Sequence, residues 1–261
     1  MNENIFNSAK EIFIDSSEPK NYLNLDSGVV YLETLEQLHK APFKISVLYG
    51  PPGVGKTIML KKFLSEHKDG HTFLYTRPFS SVEQFKNCLS EELFDNQKEL
   101  FENLDGADDF SHFVILDEAQ IYDKDFLEAI RLISDTNKIK FLLSMHTGES
   151  KELLSKEHFS TRIYKTIHML PPAKKEFHAY IQKKLLSNQL FDLSKGFDYR
   201  RSGFVYTHTK GNYRAANRFL YTLFDILDYF YKNRPSQISI NGKIPLKFFQ
   251  MSAIELGLID A

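Results

Sequence analysis

Cysteine is nearly missing from this chain: Cys88 is the sole one in 261 residues. An internal disulfide and a cysteine-based zinc site are thereby excluded, which fits a reducing, cytoplasmic setting and leaves the thiol as a small core filler. Long apolar runs are missing too. No stretch approaches the ~18 residues of a membrane span, and the N-terminus, MNENIFNSAKEIFIDSSEPK, has no basic start followed by an apolar block. The chain is not expected to insert into a membrane directly. Nor is there a Ser/Gly-rich or Pro-rich tract, and with 42% hydrophobic residues, 23 Phe and 13 Tyr the composition reads as globular throughout. Net charge is small, −1, but unevenly spread. Residues 1–150 carry 15 basic against 25 acidic side chains, and residues 151–261 carry 18 against 9. That asymmetry points to two modules, or to assembly in which an acidic face meets a basic one.

Against these absences stands a stretch with too much charge for its place. In FVILDEAQ, Phe113 to Gln120, four apolar residues suited to a buried strand run into two adjacent carboxylates, Asp117 and Glu118. Such charges are costly at the edge of a core unless something positive faces them. The segment KISVLYGPPGVGKTIMLKKFL supplies it. A β-rich run, Ile45 to Tyr49, leads into Gly50-Pro51-Pro52-Gly53-Val54-Gly55-Lys56-Thr57-Ile58 and then a helical pattern to Leu64, which is the GxxxxGK[ST] phosphate-binding loop in its required context. Gly53 and Gly55 permit conformations that aim backbone N–H groups at phosphate, and the helix adds its positive N-terminal end. Lys56 is placed to reach the β and γ phosphates of ATP. Thr57 and Asp117 are candidate ligands of Mg²⁺, and Glu118 is the candidate base for an attacking water.

GPPGVGKT with LDEA resembles the AAA+ ATPases, and LDEAQIYDKDFLEAIRLISD resembles more narrowly the ExeA, or general secretion pathway protein A (MshM-like), branch. The likeness extends over roughly residues 25–257. It implies an α/β fold, a P-loop core with a parallel sheet over about 25–170, after an N-terminal extension, 1–24, and before a helical lid, 171–261. It also implies further site residues. At the end of the strand KFLLSMHT the sensor-1 group is assigned to His146, with Ser144 and Thr147 as alternatives, because the Gly-Gln-Pro turn usual in that branch is replaced. Arg162, in Phe-Ser-Thr-Arg-Ile, occupies the arginine-finger position, which acts on a neighbouring subunit and so implies a homo-oligomer; a surface ion pair is the alternative. Arg214 is retained in the sensor-2 element, where Tyr213 replaces the usual proline.

Periodicity places Phe177, Tyr180, Ile181 and Leu185 on one helix face, and marks Phe219, Leu220, Leu223, Phe224, Ile226, Leu227 and Phe230 as core. Lys174, Lys175, Lys183 and Lys184 fall mostly off the first face. Three functions compete. The resemblance implies a motor for a bacterial envelope apparatus, such as type II secretion, type IV pili or DNA uptake, peripheral at the inner membrane through an envelope-complex partner. The basic lid leaves DNA open as a ligand, as in a transposition accessory protein similar to the TniB and MuB group. A nucleotide-gated scaffold with negligible turnover would require a misplaced Glu118.

Overall fold

The apolar runs become a sheet whose inner strands are covered on both faces. The computed structural model describes residues 5–68, 70–94, 111–148, 161–238 and 243–260. Strands β1 (Ile45–Tyr49), β2 (Thr72–Tyr75), β3 (His112–Leu116), β4 (Ile139–Met145) and β5 (Ile163–His168) form one sheet in the order β2-β3-β4-β1-β5. Every pairing is parallel. Side chains alternate across the sheet as strand geometry requires. Val114, Leu116, Phe141 and Leu143 pack in one layer with Phe126 and Ile130. Phe113, Ile115 and Leu142 pack in the other with Met59, Leu60 and Phe63.

Those layers are helices. α1 (Ile5–Ile12) belongs elsewhere, but α2 (Asp26–Lys40) and α3 (Lys56–Glu66) cover one face, and α4 (Val82–Phe94) and α5 (Lys124–Asp135) the other. α5 is capped by Asp123, whose carboxylate accepts from Phe126 N at 2.9 Å and so satisfies an otherwise orphaned helix donor.

A second core is wholly helical. α6 (Lys174–Ser187), α7 (Phe191–Gly196), α8 (Tyr199–Thr209), α9 (Tyr213–Asn233) and α10 (Leu246–Glu255) pack around Phe177, Phe219, Phe224 and Phe249. Phe177, Tyr180, Ile181 and Leu185 are the buried residues of α6, and Ile226 and Phe230 sit at the edge of the cluster. α1 joins this cluster. Its apolar positions recur at helical spacing, so Phe6, Ala9 and Phe13 are buried together, and the Phe13 ring stacks on Phe224 at 5.6 Å. Lys10 and Asp225 close the contact at 2.9 Å. The segment from Phe13 to Ser17 then crosses from the helical cluster to α3, where Lys61 Nζ donates to Ser17 Oγ at 2.9 Å.

Candidate active site

The carboxyl end of β1 turns into the glycine loop and the loop into α3. Gly50 is pinned between strands: its N–H donates to Met145 O at 3.3 Å, and a Cβ there would collide with the Met169 carbonyl. Gly53 and Gly55 adopt φ of 78° and 97°, the left-handed region that a side chain disfavours. These two positions let the loop curl and aim its amides outward while α3 starts at Lys56. The buried Lys56 ammonium donates to Gly50 O at 2.8 Å and Pro51 O at 3.3 Å, so it is held inside the loop's curl.

Asp117 directly follows β3 at 1% exposure, and three donors converge on it. Thr57 Oγ1 donates to Oδ2 at 2.6 Å, Ser144 Oγ to Oδ1 at 2.6 Å, and Glu118 N to Oδ1 at 3.0 Å. A buried carboxylate is tolerated where its lone pairs are met in this way. Glu118 follows in the left-handed conformation, φ 55° and ψ 35°, which for a residue with a side chain costs ~1–3 kcal/mol and turns it away from the strand line. Gln120 Nε2 donates to its Oε2, and His146 Nε2 lies 3.4 Å from the same oxygen. The Gln120 amide oxygen in turn accepts from His146 N at 3.3 Å, linking the ends of β3 and β4.

Of the sensor-1 candidates, therefore, Ser144 touches Asp117 and His146 touches Glu118. Gln120 was legible only as part of the family pattern; nothing in its spacing marks it as a partner of Glu118.

Facing the loop is the start of α9. Asn212 caps that helix by accepting from Ala215 N at 3.0 Å and also donates from Nδ2 to Pro52 O at 2.7 Å. Tyr213 N donates to Gly53 O at 3.0 Å. The helical cluster thus lands directly on the glycine loop. Arg214 lines the cleft between them, its Nε donating to Asp15 Oδ2 at 3.1 Å. A cavity of about 320 Å³ runs through this cleft, bounded by Pro52 to Ile58, Glu118 and His146 at one end. Leu25, Met169, Leu170 and Tyr213 give it an apolar wall, and Tyr180, Lys184 and Asn217 a polar corner.

Arg162 does not line this cavity. It precedes β5, at the amino ends of the strands, and donates to Asp135 from Nε at 2.9 Å and Nη2 at 2.9 Å. Lys44 Nζ shares that carboxylate at 2.7 Å. Phe159 and Ser160, which frame Arg162 in the sequence, lie outside the described residues. The four lysines of α6 do not form one surface. Lys184 turns into the cavity, Lys183 Nζ donates to Asn24 O at 2.5 Å, and Lys174 lies over the Tyr199 ring at 5.1 Å.

A parallel sheet ordered β2-β3-β4-β1-β5, a glycine loop opening a helix after β1, two successive acidic residues after β3 with β4 between, and helices after the core define a P-loop NTPase of the AAA fold. Residues 42–178 match the AAA domain family, and the chain belongs to it. A comparison with curated proteins finds no match. Among solved structures it is similar to the RuvB Holliday junction branch migration motor of Thermotoga maritima: TM-score 0.59, 14% identity, covering 94% of this chain and 73% of that one. It is similar also to Cdc6p of Pyrobaculum aerophilum: TM-score 0.60, 16% identity, 94% and 70% covered. Domain III of the Thermotoga maritima replication initiation protein DnaA gives 0.54 and 15%, with 92% and 96% covered. Identities this low establish the fold and nothing finer. Among the described residues no helix is long and apolar enough to cross a membrane.

Proposed function

We propose that the chain binds and hydrolyses ATP in a Mg²⁺-dependent reaction. One observation supports this above the rest: Thr57 and Asp117, from elements sixty residues apart, meet at 2.6 Å at the mouth of a glycine loop, and Thr57 and Glu118 line the same cavity. A hydroxyl and a buried carboxylate are the oxygen donors that suit Mg²⁺, which when bound neutralises charge on the phosphates. Loop amides and Lys56 hold the β and γ phosphates, the ammonium exchanging its neutral carbonyl acceptors for anionic phosphate oxygens. Glu118 accepts a proton from the attacking water, with Gln120 and His146 orienting its carboxylate. The test is phosphate release from ATP by the purified protein, with and without Mg²⁺. Lack of both binding and turnover would dispose of the reading.

Arg162 serves a neighbouring subunit in this proposal. Its pairing with Asp135 does not prevent that: the Arg162 side chain is 25% exposed, and a phosphate from outside can compete with Asp135 for the guanidinium. For the wider task, the resemblance to the ExeA branch supports an envelope-assembly motor. Similarity to a branch migration motor and a replication initiation protein keeps a DNA-associated role as the second reading. The dispersal of the α6 lysines removes the cluster that would have favoured it. Duplex DNA and envelope proteins recovered with ATP-loaded Glu118→Gln protein discriminate the two.

A further inference from the structure

At the far end of the cavity lies a second lysine that the proposed chemistry does not use. Lys184 Nζ donates to Asn217 Oδ1 at 3.1 Å and to Tyr180 Oη at 3.2 Å. It sits over the rings of Phe13 and Tyr180, 5.0 and 5.4 Å from their centroids. Among the described residues no carboxylate is within ion-pairing distance; Asp15 acts on it only through a longer-range field. Burial accordingly pushes its pKa down to about 8. An ammonium taken out of water and given only neutral acceptors and aromatic faces is costly, which makes a purely structural role a poor use of the position.

What the corner presents to the cavity is limited by valence. Tyr180 Oη donates to Asn217 Oδ1 at 2.5 Å, so that oxygen already receives two hydrogen bonds and Asn217 has only its amide N–H groups left to offer. Lys184 also has only donors. The corner therefore suits a ligand presenting acceptors. Its position says which part of a ligand. Tyr213 N is bonded to Gly53 O, and Asn217 lies four residues further along α9, ~6 Å at 1.5 Å per residue, with Lys184 beyond it. Phosphates held by the loop amides and Lys56 occupy the near end, next to Glu118. The nucleoside falls at the far one, against the apolar wall of Leu25, Met169 and Leu170.

We propose that Lys184, held by Tyr180 and Asn217, is a specificity-determining donor that reads acceptor atoms on the nucleoside part of the bound nucleotide. This rests on the nucleotide reading above and is separable from it by experiment. Wild type and Lys184→Met are titrated calorimetrically with ATP and with inorganic tripolyphosphate, which has the phosphates and no nucleoside. A hydrogen bond from a charged donor implies a loss of about tenfold or more in ATP affinity. Tripolyphosphate affinity stays unchanged, and that binding also reports an intact fold. Equal losses for both ligands, or no loss for either, overturn the proposal. Should Lys184→Met not fold, Asn217→Leu removes the acceptor that orients the ammonium and must show the same split. Lys56→Ala controls for the underlying reading: it should lose both ligands, and if it keeps both, the loop is not a phosphate cradle whatever Lys184 does.

Discussion

Thr57 Oγ1 donates to Asp117 Oδ2 at 2.6 Å, so the first turn of α3 and the end of β3 are joined by one hydrogen bond at the point where a divalent ion would be held. Asp117→Asn keeps the shape and removes the charge. Its ATP affinity should lose its dependence on Mg²⁺, measured by titrating nucleotide with the metal present and after chelation. A variant with wild-type metal dependence would move the ion elsewhere.

Glu118→Gln should still bind ATP while turnover falls by ~10²- to 10⁴-fold, the usual contribution of a general base. Gln120→Leu is the complementary change. It frees Glu118 from the amide that now holds it, so kcat should drop while nucleotide affinity is retained. Unaltered kcat in Gln120→Leu would reduce the Gln120 contact to incidental packing.

The glycine loop, the β3 strand and the carboxylates that follow it were legible because their signals are local: a glycine spacing, an apolar run, a helix opening at Lys56. The choice among Ser144, His146 and Thr147 was not. It depends on strand register, and a slip of one residue sends every side chain to the other face. Here Leu116 lies opposite Leu143, which sets Ser144 beside Asp117 and carries His146 past the strand end to Glu118. The partner of Phe13 is Phe224, more than two hundred residues away, and no periodicity within residues 1–24 names it. Lys184 sits one residue from the exposed Lys183, yet burial separates them. Charge counted along a sequence says nothing of the direction in which a side chain points.

Asp135 is held below its ordinary pKa of 3.8, at about 2, first by the Arg162 hydrogen bond and then by Lys44, against the opposing effect of burial. A depressed carboxylate contributes stability that is fully present above the unfolded value and is lost as pH falls through the folded one. Urea denaturation at stepped pH should give a wild-type advantage over Asp135→Asn that is constant above 3.8 and shrinks towards about 2. A difference independent of pH would show that the carboxylate charge is not what the network uses.

Arg162→Ala should bind ATP normally and lose turnover, and mixing it with Lys56→Ala should restore part of the activity. The Lys56 variant offers an intact arginine to the occupied site of the other. Recovery requires a shared site and should rise with protein concentration. If the mixture stays inactive and wild-type specific activity does not depend on concentration, Arg162 has no role in trans.

Phe13 is 1% exposed, stacked on Phe224 and beneath the Lys184 ammonium, whereas the adjacent Ile14 is 49% exposed. If α1 is integral to the helical core, Phe13→Ala leaves a cavity between α1 and α9 and should destabilise the protein by ~3–5 kcal/mol. Ile14→Ala should stay within ~0.5 kcal/mol. Phe13→Ala also removes one aromatic face from Lys184, so ATP affinity should fall under conditions where that variant remains folded, while tripolyphosphate binding persists. Chemical denaturation and calorimetry on the two variants separate these effects. A Phe13→Ala protein as stable as Ile14→Ala would mean that α1 rests on the helical cluster without holding it together.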